Sequence, residues 1–194
     1  MFFKRKNQTE EQADVKLGVE RALKHAAAKD PLAQQEKIRR MESAIAALEA
    51  AAQGVDAVSS MLREAKDLAG SAAETTSIAK RALIAERYND VIEGIDDAVR
   101  SADADGLNLI NEGDDEIEIA LEETGAKLIV RHTRLTRGEG GLRVNPAREA
   151  FDHDDEIAVI RDEIKRALGR IDGLAMRYCS DAAFLTERMA GRAA

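Results

Sequence analysis

The sequence predicts a mainly α-helical protein, an elongated antiparallel bundle of three long helices with a small β-hairpin between the second and the third. Of the 194 residues, 44% are hydrophobic but only 3% are aromatic. Small and branched aliphatic side chains must therefore build the core, which suits closely packed helices. Charged residues reach 34% and there are only two prolines, as expected of long helices with a solvated face.

The first long helix is predicted over about residues 33–73. It follows a polar tail, residues 1–31, in which the one weak periodic stretch, around residues 15–28, suggests a short helix. Asp30-Pro31 is a typical helix opening. A heptad-like apolar stripe then indicates a helix that lies along a partner helix. The stripe consists of Ile38, Met41, Ile45, Leu48, Ala52, Val55, Leu62, Ala65 and Ala69.

Two more stripes with the same spacing predict the second and third helices. The second stripe consists of Ile78, Ala82, Ala85, Tyr88, Ile92, Ile95, Val99 and Ala102. The third consists of Ile157, Ile160, Ile164, Ala167, Ile171, Leu174, Tyr178, Ala182, Leu185 and Met189. Because three apolar stripes cannot stay in water, we expect them to bury one another in a bundle.

Between the second and third helices, apolar residues no longer recur every three or four positions but at every second position. Glu116–Leu121 alternates polar and apolar residues, and Lys127–Arg131 follows as a second strand, with residues 122–125 as the connecting loop. The sequence therefore predicts a β-hairpin within a segment of about residues 114–145. With it, residues 32–193 form one predicted helical domain.

Charge and composition exclude several classes of function. The net charge is -8, so nucleic acid is not an expected partner, since phosphate backbones attract basic surfaces. No apolar run approaches the roughly 20 residues of a membrane-spanning helix, so membrane insertion is not expected. The single cysteine, Cys179, excludes an intramolecular disulfide, and we expect its thiol to be buried or half-buried.

Two acidic patterns suggest metal binding, and neither is the favoured interpretation. Ser101, Asp103, Asp105, Gly106 and Glu112 fill positions of a calcium-binding loop, but a serine opens the loop and a strand follows it. A solvated turn that caps the second helix is favoured, and ion binding there is left open. Residues 152–155 are better explained as acidic caps of the third helix. With no nucleophile–base pair or phosphate loop, we predict no enzyme, no metal and no cofactor.

Several short motifs, taken in order, resemble the conserved amino-terminal rod region of bacterial flagellins, of the kind common in alphaproteobacteria. They are Val55–Ala69, Arg87–Asp97 and Asp105–Asn111. Residues 166–172 and 184–188 are similar to the carboxy-terminal rod helix of that family, so the resemblance covers about residues 48–188. It implies a flagellin-like helical rod with a small hairpin after the second helix, which agrees with the periodicity.

The resemblance implies a structural or assembly protein of the bacterial flagellum that packs helix on helix with flagellar subunits. Export through the flagellar secretion apparatus would place it in the flagellum or outside the cell. Flagellins also carry apolar terminal helices that hold subunits together, and the sequence shows no clear counterpart of them. An alternative is therefore a cytoplasmic, non-polymerising flagellin homologue that binds a flagellin chaperone or regulator. Expected partners are flagellin or other flagellar proteins, a flagellin chaperone, and a second copy of the chain.

Candidate partner-binding residues come from the rod motifs and from a basic stretch in this otherwise acidic protein. An arginine-rich stretch can bind an acidic partner electrostatically, although a flexible loop without a partner is the simpler interpretation. The candidates are Arg63, Arg87, Asn89, Arg131, Arg134 and Arg137.

Overall fold

A computed structural model describes residues 31–111, 116–120 and 127–193 of the chain. The helices are α1 (Pro31–Glu74), α2 (Ile78–Ser101), α3 (Asp154–Ile171) and α4 (Leu174–Ala193), and the strands are β1 (Glu116–Ala120) and β2 (Lys127–Arg131). The prediction of a mainly helical protein with a small antiparallel sheet is confirmed. The polar tail up to residue 30, with its suggested short helix, and the hairpin loop lie outside the described residues.

The prediction of a single third helix is wrong, because the chain forms two helices there. Helix α3 ends at Ile171, and Gly173 adopts a φ of +73°. This left-handed conformation suits glycine, which lacks a Cβ. The apolar stripe nevertheless runs across the break, since Ile171, Leu174 and Tyr178 are all buried. Hydrophobic spacing alone therefore does not reveal where the helix stops.

The chain divides into two compact units, residues 1–41 and residues 42–194. In the first unit the structure describes residues 31–41, which form the opening turns of α1. Leu32 is 75% exposed and Ile38 is 37% exposed. The assignment of Ile38 to a core stripe is therefore wrong.

In the second unit, α1 contributes a face of small residues to the core. The buried residues of this face are Ala44, Ala47, Leu48, Ala51, Ala52, Val55, Val58, Leu62, Ala65, Ala69 and Ala72. Small side chains allow neighbouring backbone to come close. At Gly54 the side chains of two neighbouring residues pack directly against the helix, because a Cβ there would lie 2.6 Å from both Ala102 Cβ and Ile110 Cδ1.

Helix α2 begins after Ser77, whose hydroxyl accepts a hydrogen bond from the Lys80 N–H at 3.5 Å. From Ala85 onward its predicted stripe is buried. The first turn differs from the prediction, because Ile78 is 68% exposed and Ala82 is exposed, whereas Arg81 is buried. The helix therefore starts with a buried cation where the spacing predicts an apolar contact.

The turn after α2 caps the helix, as predicted. Asn108 Nδ2 donates to the Val99 carbonyl at 2.7 Å, and Asn108 Oδ1 accepts the N–H groups of Ile110 and Asn111, each at 3.0 Å. The Asp103 carboxylate accepts the Gly106 N–H at 3.1 Å. This aspartate, a proposed calcium ligand, thus closes the turn itself. Glu112, the last ligand in the calcium interpretation, lies outside the described residues.

Strands β1 and β2 pair antiparallel, with Glu116 opposite Arg131 and Ile119 opposite Leu128. Ile119 and Val130 are buried on one face. On the other face Lys127 Nζ lies 2.5 Å from Glu118 Oε2. The alternation predicted from the sequence is thus confirmed. No helix in the described part of the chain is both long and apolar enough to span a membrane.

Candidate functional site

The chain from residue 132 to residue 153, here called the return segment, connects β2 to α3 and is bound by side chains of α2 and α3. One residue of this segment, Asn145, forms hydrogen bonds with both helices. The Tyr88 hydroxyl donates to the Asn145 carbonyl at 2.9 Å. The Glu163 carboxylate accepts the Asn145 N–H at 3.0 Å and the Asn145 side-chain amide at 2.8 Å. Asn145 thus links α2 to α3.

Tyr88 and Tyr178 are core residues, as predicted, with exposed fractions of 0% and 1%. Burial raises the pKa of Tyr88 strongly, and the nearby Glu163 and Glu156 carboxylates raise it further, whereas Arg137 opposes the change. Burial also raises the pKa of Tyr178. Both phenols therefore stay protonated and can donate, Tyr88 to Asn145 and Tyr178 to the Leu109 carbonyl at 3.5 Å.

Arg81 joins three segments through its guanidinium group. Nε donates to the Thr75 carbonyl at 2.8 Å, in the turn between α1 and α2. One terminal nitrogen reaches the carbonyls of Phe151 and Asp152, at 3.4 and 3.2 Å, in the return segment. The other lies 2.6 Å from Asp154 Oδ1 at the start of α3. This set of acceptors explains why a cation is buried there.

The backbone at the end of the return segment is strained, and nearby side chains hold it. Ala150 and Phe151 have φ values of +54° and +59°, a left-handed conformation that costs non-glycine residues roughly 1–2 kcal/mol each. The Glu156 carboxylate accepts the N–H groups of Glu149 and Phe151, both at 2.9 Å. The Phe151 ring packs against Tyr88 with centroids 5.3 Å apart. Together with Arg81 these contacts fix the entry into α3.

Two of the predicted partner-binding residues hold the return segment. Asn89 accepts the Ala147 N–H at 2.8 Å and donates to the Ala147 carbonyl at 3.3 Å. Arg137 binds Asp96 through both its backbone N–H and its Nε, each at 2.9 Å. Both residues therefore serve the fold, and a role in partner binding stays a prediction.

The other four candidates lie in several different places. Arg87 pairs with Glu64 across α2 and α1 at 2.8 Å, and Arg131 pairs with Glu116 across the hairpin at 3.3 Å. Arg134 Nε donates to the Thr136 hydroxyl at 3.1 Å. Arg63 is exposed and lines a groove between α1 and the α3–α4 pair. The six candidates therefore do not form one cluster in the part of the chain that is described.

Three features of the structure differ from the sequence interpretation or were not found by it. Arg81 and Glu163 are buried charged residues, and the sequence marks them only by their position beside an apolar stripe. Cys179 is exposed, so the expectation of a buried or half-buried thiol is wrong. The cysteine follows the buried Tyr178 and lines the same groove as Arg63.

The acidic residues in the first turn of α3 complement the helix dipole and anchor neighbouring segments, but they do not cap the helix as predicted, since the N-cap is His153 and its side chain forms no capping hydrogen bond. Asp154, Asp155 and Glu156 occupy the first turn, where carboxylates offset the positive end of the helix dipole. Of these, Asp154 pairs with Arg81 and Glu156 binds the return segment. Within the described residues no group of histidine, cysteine, aspartate and glutamate has a geometry suited to a metal ion.

The order of elements and their packing match a solved protein. The crystal structure of Bacillus cereus flagellin aligns with a TM-score of 0.67 over 79% of this chain and 88% of that chain, at 16% sequence identity. The fold is flagellin-like. No protein-family model and no curated protein sequence matches the chain, so the shared feature is the fold.

Within this flagellin-like fold, the cluster of Arg81, Tyr88, Asn145 and Glu163 joins α2, the return segment and α3.

Proposed function

We propose that the protein is a structural or assembly component of the bacterial flagellum that acts by helix–helix packing with flagellar subunits. The observation that supports this is the likeness of its fold to Bacillus cereus flagellin. In this proposal the protein is not an enzyme, and its partners are flagellin or other flagellar proteins, a flagellin chaperone, or its own copies.

The internal contacts suit such a role. Neighbouring helices are tied by pairs that join distant parts of the sequence, such as Arg87 with Glu64 and Arg81 with Asp154. Rigid helices present regular ridges that can pack into the grooves of another helical subunit. Binding through preformed surfaces also avoids the entropic cost of ordering a flexible chain on association.

Cell fractionation tests this proposal against the alternative of a cytoplasmic, non-polymerising homologue. Filaments are sheared from cells of the source organism, and each fraction is probed with an antibody against this protein. The proposal predicts signal in the sheared filaments or the medium. It also predicts loss of that signal when the flagellar secretion apparatus is inactivated.

The alternative predicts the opposite distribution. The protein would stay in the cytoplasm in both strains, and it would co-purify there with a flagellin chaperone or regulator. A cytoplasmic enzyme of known location serves as the control for cell lysis during shearing. Signal that follows this control into the medium would count against export.

A further inference from the structure

A groove runs along the second unit between α1 and the α3–α4 pair. It consists of two adjoining depressions of about 630 and 460 Å³ that share Leu168 as a lining residue. From Val55 to Lys66 the groove follows α1 for roughly 17 Å at 1.5 Å per residue. This is about three helical turns, long enough for the anchors at i, i+3, i+4 and i+7 of a docked helix.

The large apolar side chains of the groove line its larger depression, which is partly open to water. Val55 and Ile171 are buried and form its floor, while Leu168 is half-buried. Met176 also lines the groove and is 74% exposed. A large flexible apolar side chain that is solvated in this way gains free energy when a partner covers it.

Four cations border the groove as two like-charged pairs. Arg63 and Lys66 lie three residues apart on α1, and Arg161 and Lys165 lie four residues apart on α3. Like charges at this spacing destabilise a helix by about 0.2–0.5 kcal/mol per pair. Among the described residues none of the four forms a salt bridge, although the whole chain carries a net charge of -8. Positive charge that no ion pair neutralises is thus present at this groove.

The charge is distributed unevenly along the groove. Lys66, Arg161 and Lys165 surround the smaller depression together with one carboxylate, Asp162. The larger depression has Asp56 and Asp172 with Arg63. One half of the groove therefore attracts carboxylates, whereas the other half favours positive charge, including the amino end of a helix dipole.

We propose that this groove binds an amphipathic helix of a partner protein, with its apolar stripe on Leu168 and Met176. Its acidic carboxy-terminal half lies over Lys66, Arg161 and Lys165. Its amino-terminal end lies near Asp56 and Asp172. The occupant is a helix because a groove between helices accepts side chains at intervals of three and four residues. The inference goes beyond the proposed function, since it depends on this surface and not on export or assembly.

Binding of designed peptides to the purified full chain tests this inference. The probe is a fluorescein-labelled, helix-forming peptide of about 18 residues, with a leucine stripe and glutamates in its carboxy-terminal half. A second peptide has the glutamates in the amino-terminal half, and a third replaces them with lysines. Fluorescence anisotropy should show tightest binding of the first peptide, with an affinity that falls as salt is added.

Charge-reversed variants locate the binding site. Lys66→Glu combined with Lys165→Glu should weaken binding at least tenfold, about 1.4 kcal/mol. The matched control combines Lys80→Glu with Arg148→Glu, which removes the same charge at exposed positions outside the groove, and should leave the affinity unchanged. Circular dichroism checks that both variants stay helical.

Three outcomes would overturn the proposal. One is the absence of measurable binding of any peptide, and another is equal weakening by the control pair. The third is a concentration-dependent dimer, seen by sedimentation, that is lost in the groove variant, because the occupant would then be a second copy of this chain. Since all of these measurements use purified protein, their failure is distinguishable from failure of the fractionation experiment.

Discussion

Arg81 is the residue on which the join between α2, the return segment and α3 depends most. Arg81→Ala would leave the carbonyls of Thr75, Phe151 and Asp152 without this donor. An unsatisfied buried polar group costs about 1–3 kcal/mol, so we expect the free energy of unfolding to fall by roughly 3 kcal/mol. Urea denaturation followed by circular dichroism measures the loss.

Asp154→Asn is the matched control, because it removes the ion pair but keeps the bonds to the carbonyls. The Asp154 side chain is 83% exposed, and an exposed pair is worth about 1 kcal/mol or less. We therefore expect a much smaller loss. If the two variants lost the same free energy of unfolding, the ion pair rather than the carbonyl bonds would be the important contact.

The raised pKa values of the two tyrosines predict how the free energy of unfolding changes at alkaline pH. Burial raises the pKa of Tyr88 and of Tyr178 in the folded protein above the ordinary value of about 10. The folded state therefore holds these protons more tightly than the unfolded state. This contribution to stability is complete below about pH 10 and is lost as the pH rises above that value.

Tyr88→Phe should weaken this pH dependence. The variant loses about 1 kcal/mol near neutral pH with the hydrogen bond to Asn145, but its stability should then fall less steeply than that of the natural sequence above about pH 10. Urea denaturation at several pH values measures the slopes. Because the chain has only two tyrosines and no tryptophan, tyrosinate absorbance follows the titration directly. Equal slopes would contradict the pKa argument.

At the level of elements, apolar spacing predicts where helices and strands lie better than where they end. It places α1, α2 and both strands correctly, since their buried faces repeat with the period of the element. It misses the break after Ile171 because buried residues continue at the same spacing on both sides. There the deciding feature is the backbone conformation of Gly173, which has no hydrophobic signal.

Replacing either of two glycines near that break by alanine should change the free energy of unfolding, and the two changes should have opposite signs. Gly173 has a φ of +73°, Gly169 lies inside α3, and a Cβ on either would meet no atom within 4 Å. Gly173→Ala should therefore lower the free energy of unfolding by about 1–2 kcal/mol through backbone strain alone. Gly169→Ala should raise it by about 0.5–1 kcal/mol. Thermal unfolding of both variants tests the pair, and a shift of the same sign in both would contradict it.

The contacts of the candidate residues are far less visible in the sequence than the elements themselves. Asn89 and Arg137 stand out as polar residues within recognisable motifs, yet their partners lie 58 and 41 residues away. Such pairs follow from how the return segment crosses α2, and no local pattern encodes them. Arg81 is missed for a related reason, because its acceptors are mostly backbone carbonyls, which every residue has.

At the level of the whole molecule, stability should be distributed unevenly within the second unit. Helix α2 has a continuous buried face from Ala85 to Val99 and is bound to the return segment by Tyr88 and Asn89. The hairpin is a two-stranded sheet whose outer face carries exposed ion pairs. Two-stranded sheets are marginal on their own, and local opening requires less free energy where few apolar contacts are broken.

Hydrogen exchange followed by mass spectrometry tests this distribution. We expect amides of β1 and β2 to exchange at least tenfold faster than those of α2 around Ile92, a difference of about 1.4 kcal/mol in opening free energy. The Arg81→Ala variant should speed exchange in α2 and α3 together, because Arg81 joins both to the return segment. It should change the hairpin little, since the hairpin already opens locally. Uniform acceleration across all elements would instead show that the second unit opens only as a whole.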